Sequence, residues 1–201
     1  MIQTVIFDLG KVLIPFDFNR GYQAMEKLCG IAACDIPARI ATTDLVQRFE
    51  TGLVSAEDFV EQLSRQLGMN IGYDRFCDLW SSIFLPEPLL PESMIEGLRR
   101  RHRVLLLSNT NAIHFEMIRD RYPILNHFDD FVLSYQVRAM KPSPAIFREA
   151  FVRARCRPEE IFFTDDIGAY VEAARKEGMD AVQFLSREQI EQEMRARGIA
   201  W

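Results

Sequence analysis

Thr4-Val5-Ile6-Phe7-Asp8-Leu9-Gly10 opens the chain with a continuous apolar run that stops at a carboxylate and then a glycine. The same form returns further on. Val104-Leu105-Leu106-Leu107 stops at Ser108-Asn109, and Ile161-Phe162-Phe163 stops at Thr164-Asp165-Asp166. Phe131-Val132-Leu133 and Ala181-Val182-Gln183-Phe184 are shorter runs of the same kind. Continuous rather than alternating apolar runs predict strands covered on both faces, as in a parallel sheet. Helical stripes separate them: Met94, Ile95 and Leu98; Ile113, Met117 and Ile118; Ile146, Phe147, Ala150 and Phe151; Tyr170, Val171 and Ala174. Ser143-Pro144 reads as an N-cap with proline in the first turn, Gly178 as a helix end, and Ser186 to Gln189 as a further start. Strand and helix in alternation predict a doubly wound α/β fold, Rossmann-like in its parallel sheet.

Residues from about Pro15 to Pro88 break the alternation. Four helices are expected there. Phe18, Tyr22, Met25 and Cys29 share one face, and Ile36, Ile40 and Phe49 form a weaker second stripe. Phe59, Leu63 and Leu67 follow a start at Ser55 to Asp58, and Phe76, Leu79, Trp80 and Ile83 make the last stripe. The expected organisation is a core of residues 1–14 and 88–201 with a helical cap, 15–87, inserted after the first strand. Phe49, Glu50, Trp80 and Phe84 either line a pocket or fill the bundle.

Composition narrows the function classes. The 201 residues are 48% hydrophobic and 26% charged, with a net charge of -5. That balance is globular rather than disordered. An acidic chain does not fit a nucleic-acid partner. The uncharged stretch Val104 to Phe115 is far short of the ~20 apolar residues of a membrane helix. Asp8 interrupts the N-terminal apolar run, so no signal peptide is expected, and the expected location is the cytoplasm. Cys29, Cys34, Cys77 and Cys156 form no CxxC and His102, His114 and His127 no HxxxH, so a zinc site is not expected.

In open α/β sheets, ligands bind beyond the carboxyl ends of the strands. Asp8, Ser108 with Asn109, Lys141, and Asp165 with Asp166 all fall at such ends. Three carboxylates brought together repel one another, so the fold must supply cations. Lys141 offers one, and Mg²⁺, a hard ion suited to carboxylate oxygens, would supply more.

Four strings, in this order, carry a resemblance: Val5-Ile6-Phe7-Asp8-Leu9-Gly10-Lys11-Val12-Leu13, Leu106-Leu107-Ser108-Asn109-Thr110, Lys141-Pro142-Ser143-Pro144, and Phe162-Phe163-Thr164-Asp165-Asp166. The chain resembles the haloacid dehalogenase-like hydrolases over essentially its whole length. More narrowly, Phe16-Asp17-Phe18-Asn19-Arg20 and Ser108-Asn109-Thr110-Asn111 are similar to bacterial glucose-1-phosphate phosphatases and to the phosphatase domain of soluble epoxide hydrolases. The resemblance implies a Mg²⁺-dependent phosphatase acting on a small phosphorylated metabolite, such as a sugar 1-phosphate. Asp8 would be the nucleophile. Ser108, the Asn109 backbone N–H and Lys141 would hold the phosphate, and Lys141 would keep Asp8 ionised. Asp8, the Gly10 carbonyl and Asp166 would hold the metal with Asp165 in support, and the order of the last two stays open.

Gly10 departs from the pattern. Most phosphatases of this family carry an Asp there that protonates the leaving group, a contribution of typically about 10²–10⁴-fold. Asp17 is a candidate replacement, or else the N-cap of the helix at Phe18, and Asn19 and Arg20 are weaker candidates for substrate contact. The alternatives to phosphatase activity are a metal-free 2-haloacid dehalogenase, against which Asp165-Asp166 argues, and a catalytically weak binding protein. The oligomeric state is not read from the sequence.

Overall fold

A computed structural model describes all 201 residues. Five strands form one parallel sheet: β1 (Thr4–Phe7), β2 (Arg103–Ser108), β3 (Asp130–Leu133), β4 (Ile161–Asp165) and β5 (Asp180–Gln183). Their order is β3-β2-β1-β4-β5, all parallel. The helices are α1 (Phe18–Cys29), α2 (Ile36–Ile40), α3 (Leu45–Glu50), α4 (Ala56–Leu67), α5 (Tyr73–Ser81), α6 (Glu92–Arg99), α7 (Ala112–Arg121), α8 (Ser134–Val137), α9 (Pro144–Ala154), α10 (Gly168–Lys176) and α11 (Arg187–Ala196). The α/β reading therefore holds.

Successive residues of β1 enter opposite cores, which is why its apolar run is unbroken. Val5 and Phe7 pack with Leu106, Phe162 and Ile190 on one face, and Ile6 packs with Leu105, Phe163 and Phe147 on the other. Ser143 caps α9 by accepting from the Ala145 N–H at 3.3 Å, and Ser55 caps α4 by accepting from the Asp58 N–H at 3.1 Å.

Between β1 and α6 the chain makes five helices, not the four expected. The weak stripe of Ile36, Ile40 and Phe49 is divided between α2 and α3. The turn Thr42-Thr43 separates them, where the Thr42 hydroxyl donates to the Arg39 carbonyl at 2.8 Å and diverts the backbone. These helices share their own cluster, in which Met25, Ile36, Leu45, Phe49, Phe59, Leu63 and Phe76 are buried. The chain enters and leaves this bundle side by side. Phe16 and Phe84 form an antiparallel bridge, the Asp17 N–H donates to the Ile83 carbonyl, and the Leu85 N–H donates to the Pro15 carbonyl, each at 2.9 Å.

The chain runs from β1 to β2 and β3 on one side, then crosses to β4 and β5 on the other. The sheet order reverses at β1, which places the crevice for a ligand beyond its carboxyl end.

Candidate active site

β1 ends at Phe7, so Asp8 stands at the head of the central strand, 8% exposed, with its N–H bonded to the Thr164 carbonyl of the neighbouring strand. Asp165 closes β4 beside it and is fully buried, and Asp166 follows, half-buried. One carboxylate oxygen from each of these three residues lies within 4.8 Å of the others. Lys141, on the loop after α8, reaches into this group with a side chain only 1% exposed. Its Nζ donates to Asp8 Oδ1 at 2.7 Å, to Asp165 Oδ2 at 2.5 Å and to the Leu107 carbonyl at 2.9 Å. An ammonium has three protons, and all three are engaged. Phe163 and Tyr170 present their ring faces to the same ammonium at 5.7 and 5.4 Å.

Charge and burial compete here. Burial pushes the Asp8 carboxyl up to about 7, against the pull of Lys141, and Asp165 adds to the rise. Burial works against the Lys141 ammonium, but Asp8 and Asp165 outweigh it and hold its pKa above the ordinary lysine value. Burial and then the charge of Asp165 raise Asp166. Lys141 is the one cation hydrogen-bonded to these carboxylates, and the charge of Lys11 adds a pull on Asp166 from outside the cluster. A hard divalent cation fits this all-oxygen donor set, and it would relieve the excess negative charge. Asp165 already accepts from Lys141 and, through Oδ1, from the Ile167 N–H at 2.9 Å. Asp166 has no such anchors and is the freer of the pair.

The loop after β2 is held by reciprocal bonds. Asn109 Nδ2 donates to the Lys141 carbonyl at 2.9 Å, and the Lys141 N–H donates to Asn109 Oδ1 at 2.8 Å. The Asn109 side chain therefore positions Lys141. Ser134 accepts from the Thr110 N–H and donates to the Thr110 carbonyl, both at 2.9 Å. Asn111 caps α7 by accepting from the His114 N–H at 3.0 Å. His114 is buried, bonded through Nδ1 to Asn111 and through Nε2 to the Trp80 carbonyl at 3.0 Å, and stacked on Trp80 at 5.4 Å. Burial lowers it to about 4, so it is neutral at pH 7.

A cavity of about 230 Å³ lies between this loop and the helical bundle. Gly10, Ser108, Asn109 and Thr110 form its floor, and Phe16, Tyr22, Glu50, Trp80, Phe84 and His114 are among its walls. Glu50, Trp80 and Phe84 line the cavity, whereas Phe49 is 2% exposed within the bundle cluster. The Phe16 ring covers Gly10, and a Cβ on Gly10 would sit 2.7 Å from Phe16 Cε1. Burial alone pushes the Glu50 carboxyl up to about 7.

Asp17 does not join this group. It is exposed, and its carboxylate accepts from the Asn19 N–H at 2.9 Å as the cap of α1. Asn19 and Arg20 are also exposed, and Arg20 Nε donates to the Ser82 carbonyl. Sequence reasoning missed Tyr170, Phe163, Ser134 and the covering of Gly10 by Phe16. Nothing in the local patterns around these residues distinguishes them from core.

The family model for haloacid dehalogenase-like hydrolases matches residues 2–178. The chain is 30% identical over 190 residues to a D-ribitol-5-phosphate phosphatase of Bacteroides thetaiotaomicron, covering 91% of this chain and 92% of that one. Among solved structures it is similar to a HAD family enzyme of the same organism in complex with magnesium and inorganic phosphate. That match has a TM-score of 0.84, 26% identity, and covers 93% and 96% of the two chains. A HAD-like family hydrolase of Porphyromonas gingivalis matches with a TM-score of 0.82 at 28% identity, over 97% and 98% of the chains. No helix of the protein is long and apolar enough to cross a membrane.

Proposed function

The chain belongs to the haloacid dehalogenase-like hydrolases, and we propose that it is a Mg²⁺-dependent phosphatase that hydrolyses a small phosphomonoester through an aspartyl-phosphate on Asp8. The observation that carries the reading is the buried Lys141 ammonium held between Asp8 and Asp165, with Asp166 within 4.8 Å. An oxygen of the Asp8 carboxylate forms a bond to phosphorus as the bond from phosphorus to the alcohol oxygen breaks. Water then hydrolyses the acyl phosphate and frees Asp8. Lys141, with its three protons engaged, first serves to aim Asp8 and to pull its carboxyl toward the ionised form against burial. It reaches a phosphate oxygen by sharing one of those protons. The Ser108 hydroxyl and the Asn109 backbone N–H remain to hold the equatorial oxygens, where charge is spread during transfer.

Asp8, the Gly10 carbonyl and Asp166 would hold Mg²⁺, with Asp165 fixing the cluster behind them. When bound, the ion offsets the repulsion between a carboxylate nucleophile and a phosphate dianion. The Asp165-Asp166 pair beside Asp8 speaks against metal-free dehalogenation, in which no dianion has to be neutralised. The substrate is a small phosphorylated metabolite. A sugar 1-phosphate, whose hemiacetal oxygen leaves readily, suits a site with glycine at position 10. The similar D-ribitol-5-phosphate phosphatase supports a sugar or polyol skeleton.

A panel of phosphomonoesters, tested with and without Mg²⁺, checks this reading. Phosphate release should stop with chelator and in Asp8→Asn. Release that survives Asp8→Asn would refute the role of Asp8, and chloride release from 2-haloacids without metal would refute the reaction class.

A further inference from the structure

The phosphatase reading leaves a step without an agent. An alkoxide leaving group needs a proton, and the position beside Asp8 that would carry an acid is Gly10, covered by the Phe16 ring. Any acid must come from the walls of the cavity. Three side chains there can titrate: Tyr22, His114 and Glu50. His114 is neutral, with both ring nitrogens bonded to protein. Burial raises the Tyr22 phenol above its ordinary value, so it is a weak acid at neutral pH. Asp17 points to solvent and caps its own helix.

Glu50 differs from all of these. It ends α3, faces the same cavity as Ser108 and Asn109, and its carboxyl has no protein partner. Its neighbourhood is anchored to the core. Two residues on, Gly52 adopts φ +66°, and a Cβ there would collide with the Tyr135 carbonyl of α8. This close approach, which only glycine permits, fixes the end of α3 against α8, whose Ser134 holds the loop after β2.

We propose that Glu50 is the proton donor to the leaving alcohol and then the base that activates water, supplying from the bundle what position 10 lacks. The inference rests on the phosphatase reading. In the first step an Asp8 oxygen bonds to phosphorus, the bond to the alcohol oxygen breaks, and that oxygen takes the Glu50 proton. In the second, water attacks phosphorus and gives a proton to the Glu50 carboxylate. The acyl–phosphate bond breaks, and Asp8 and Glu50 return to their starting states. Burial keeps the carboxyl protonated to about pH 7, as a donor at neutral pH requires. The substrate class is thereby widened to esters of ordinary alcohols, which need a proton to leave.

The test is kcat/KM for a series of phosphomonoesters, from 4-nitrophenyl phosphate to simple alkyl phosphates, with saturating Mg²⁺. Wild type is expected to depend weakly on the leaving group. Glu50→Gln should lose about 10²–10⁴-fold on alkyl phosphates but only severalfold on 4-nitrophenyl phosphate, whose anion leaves unprotonated. Turnover of the aryl ester also reports that the variant is folded. Glu50→Asp, with an acid one methylene shorter, should fall between the two. An equal loss across the whole series in Glu50→Gln would overturn the proposal and make Glu50 a binding residue. Failure of wild type on every phosphomonoester would overturn the phosphatase reading, and this inference with it.

Discussion

Glu50 carries a cost that can be measured without any substrate. The carboxyl lies in a wall of aromatic and aliphatic side chains, and burial alone moves it from 4.5 to about 7. The unfolded chain releases this proton near pH 4.5, while the folded protein keeps it to about pH 7. Between those values folding takes up a proton, so stability falls as pH rises, and above about 7 the full penalty applies. At about 1.36 kcal/mol per pH unit, the gap corresponds to about 3 kcal/mol. Glutamine has nearly the same shape and no charge. Glu50→Gln should therefore stabilise the protein by about 3 kcal/mol at pH 8 and by less than about 1 kcal/mol at pH 5. The assay is urea unfolding of both proteins at the two pH values, without metal. A thermal scan should show a midpoint roughly 6–12 °C higher for the variant at pH 8. An equal difference at pH 5 and pH 8, or no gain at pH 8, would refute the claim that burial in the cavity wall, without a protein partner, raises the Glu50 carboxyl. A catalytic acid that destabilises its own fold is the expected trade between stability and activity.

Three further outcomes follow from the same geometry. Lys141→Met should cost about 3–5 kcal/mol in urea unfolding and abolish phosphate release, because it leaves Asp8 and Asp165 buried without their cation. Gly10→Asp should destabilise by about 1–3 kcal/mol, since its Cβ meets the Phe16 ring, and Phe16→Ala in the same chain should relieve the thermal shift. Stability linked to His114 should rise with pH from about 4 to 6.5, because the unfolded imidazole takes its proton near 6.5 and the buried one only near 4. His114→Gln should remove that acid limb, about 3 kcal/mol of unfolding free energy between pH 4 and 6.5, measured by urea unfolding across that range.

What could be read from the sequence follows from the range of the forces involved. Strands β1, β2 and β4 announce themselves because burial on both faces demands apolar residues at every position, a requirement written locally. Asp8, Ser108, Asp165 and Asp166 follow at once, since a strand that ends at a polar residue delivers it to the edge of the sheet. The α2–α3 segment was harder. Its helices are five and six residues long, so the spacing of Ile36, Ile40 and Phe49 samples too few turns to distinguish one helix from two. The saturation of the Lys141 protons, the clamp between Asn109 and Lys141, and the Phe16 ring over Gly10 depend on side chains meeting across long separations in sequence. No local pattern encodes those meetings. Asp17 was the reverse case. A carboxylate just before a helix has a local partner, the Asn19 N–H, and that bond keeps it on the helix end and away from the cavity.

The exchange of an acid at position 10 for one at position 50 has a consequence for how the site works. An acid beside the nucleophile belongs to the same loop and is in place whenever that loop is folded. Glu50 belongs to the bundle. Its distance from Asp8 is set by the paired strands of chain at Phe16 and Phe84, by Gly52 against Tyr135, and by the bond from His114 to the Trp80 carbonyl. Opening the bundle would leave Lys141, Asp8 and Asp165 intact, because their contacts all lie within the sheet and its loops. It would, however, withdraw the proton donor. In this arrangement transfer from a good leaving group needs only the residues of the core, whereas transfer from a poor one needs Glu50 as well.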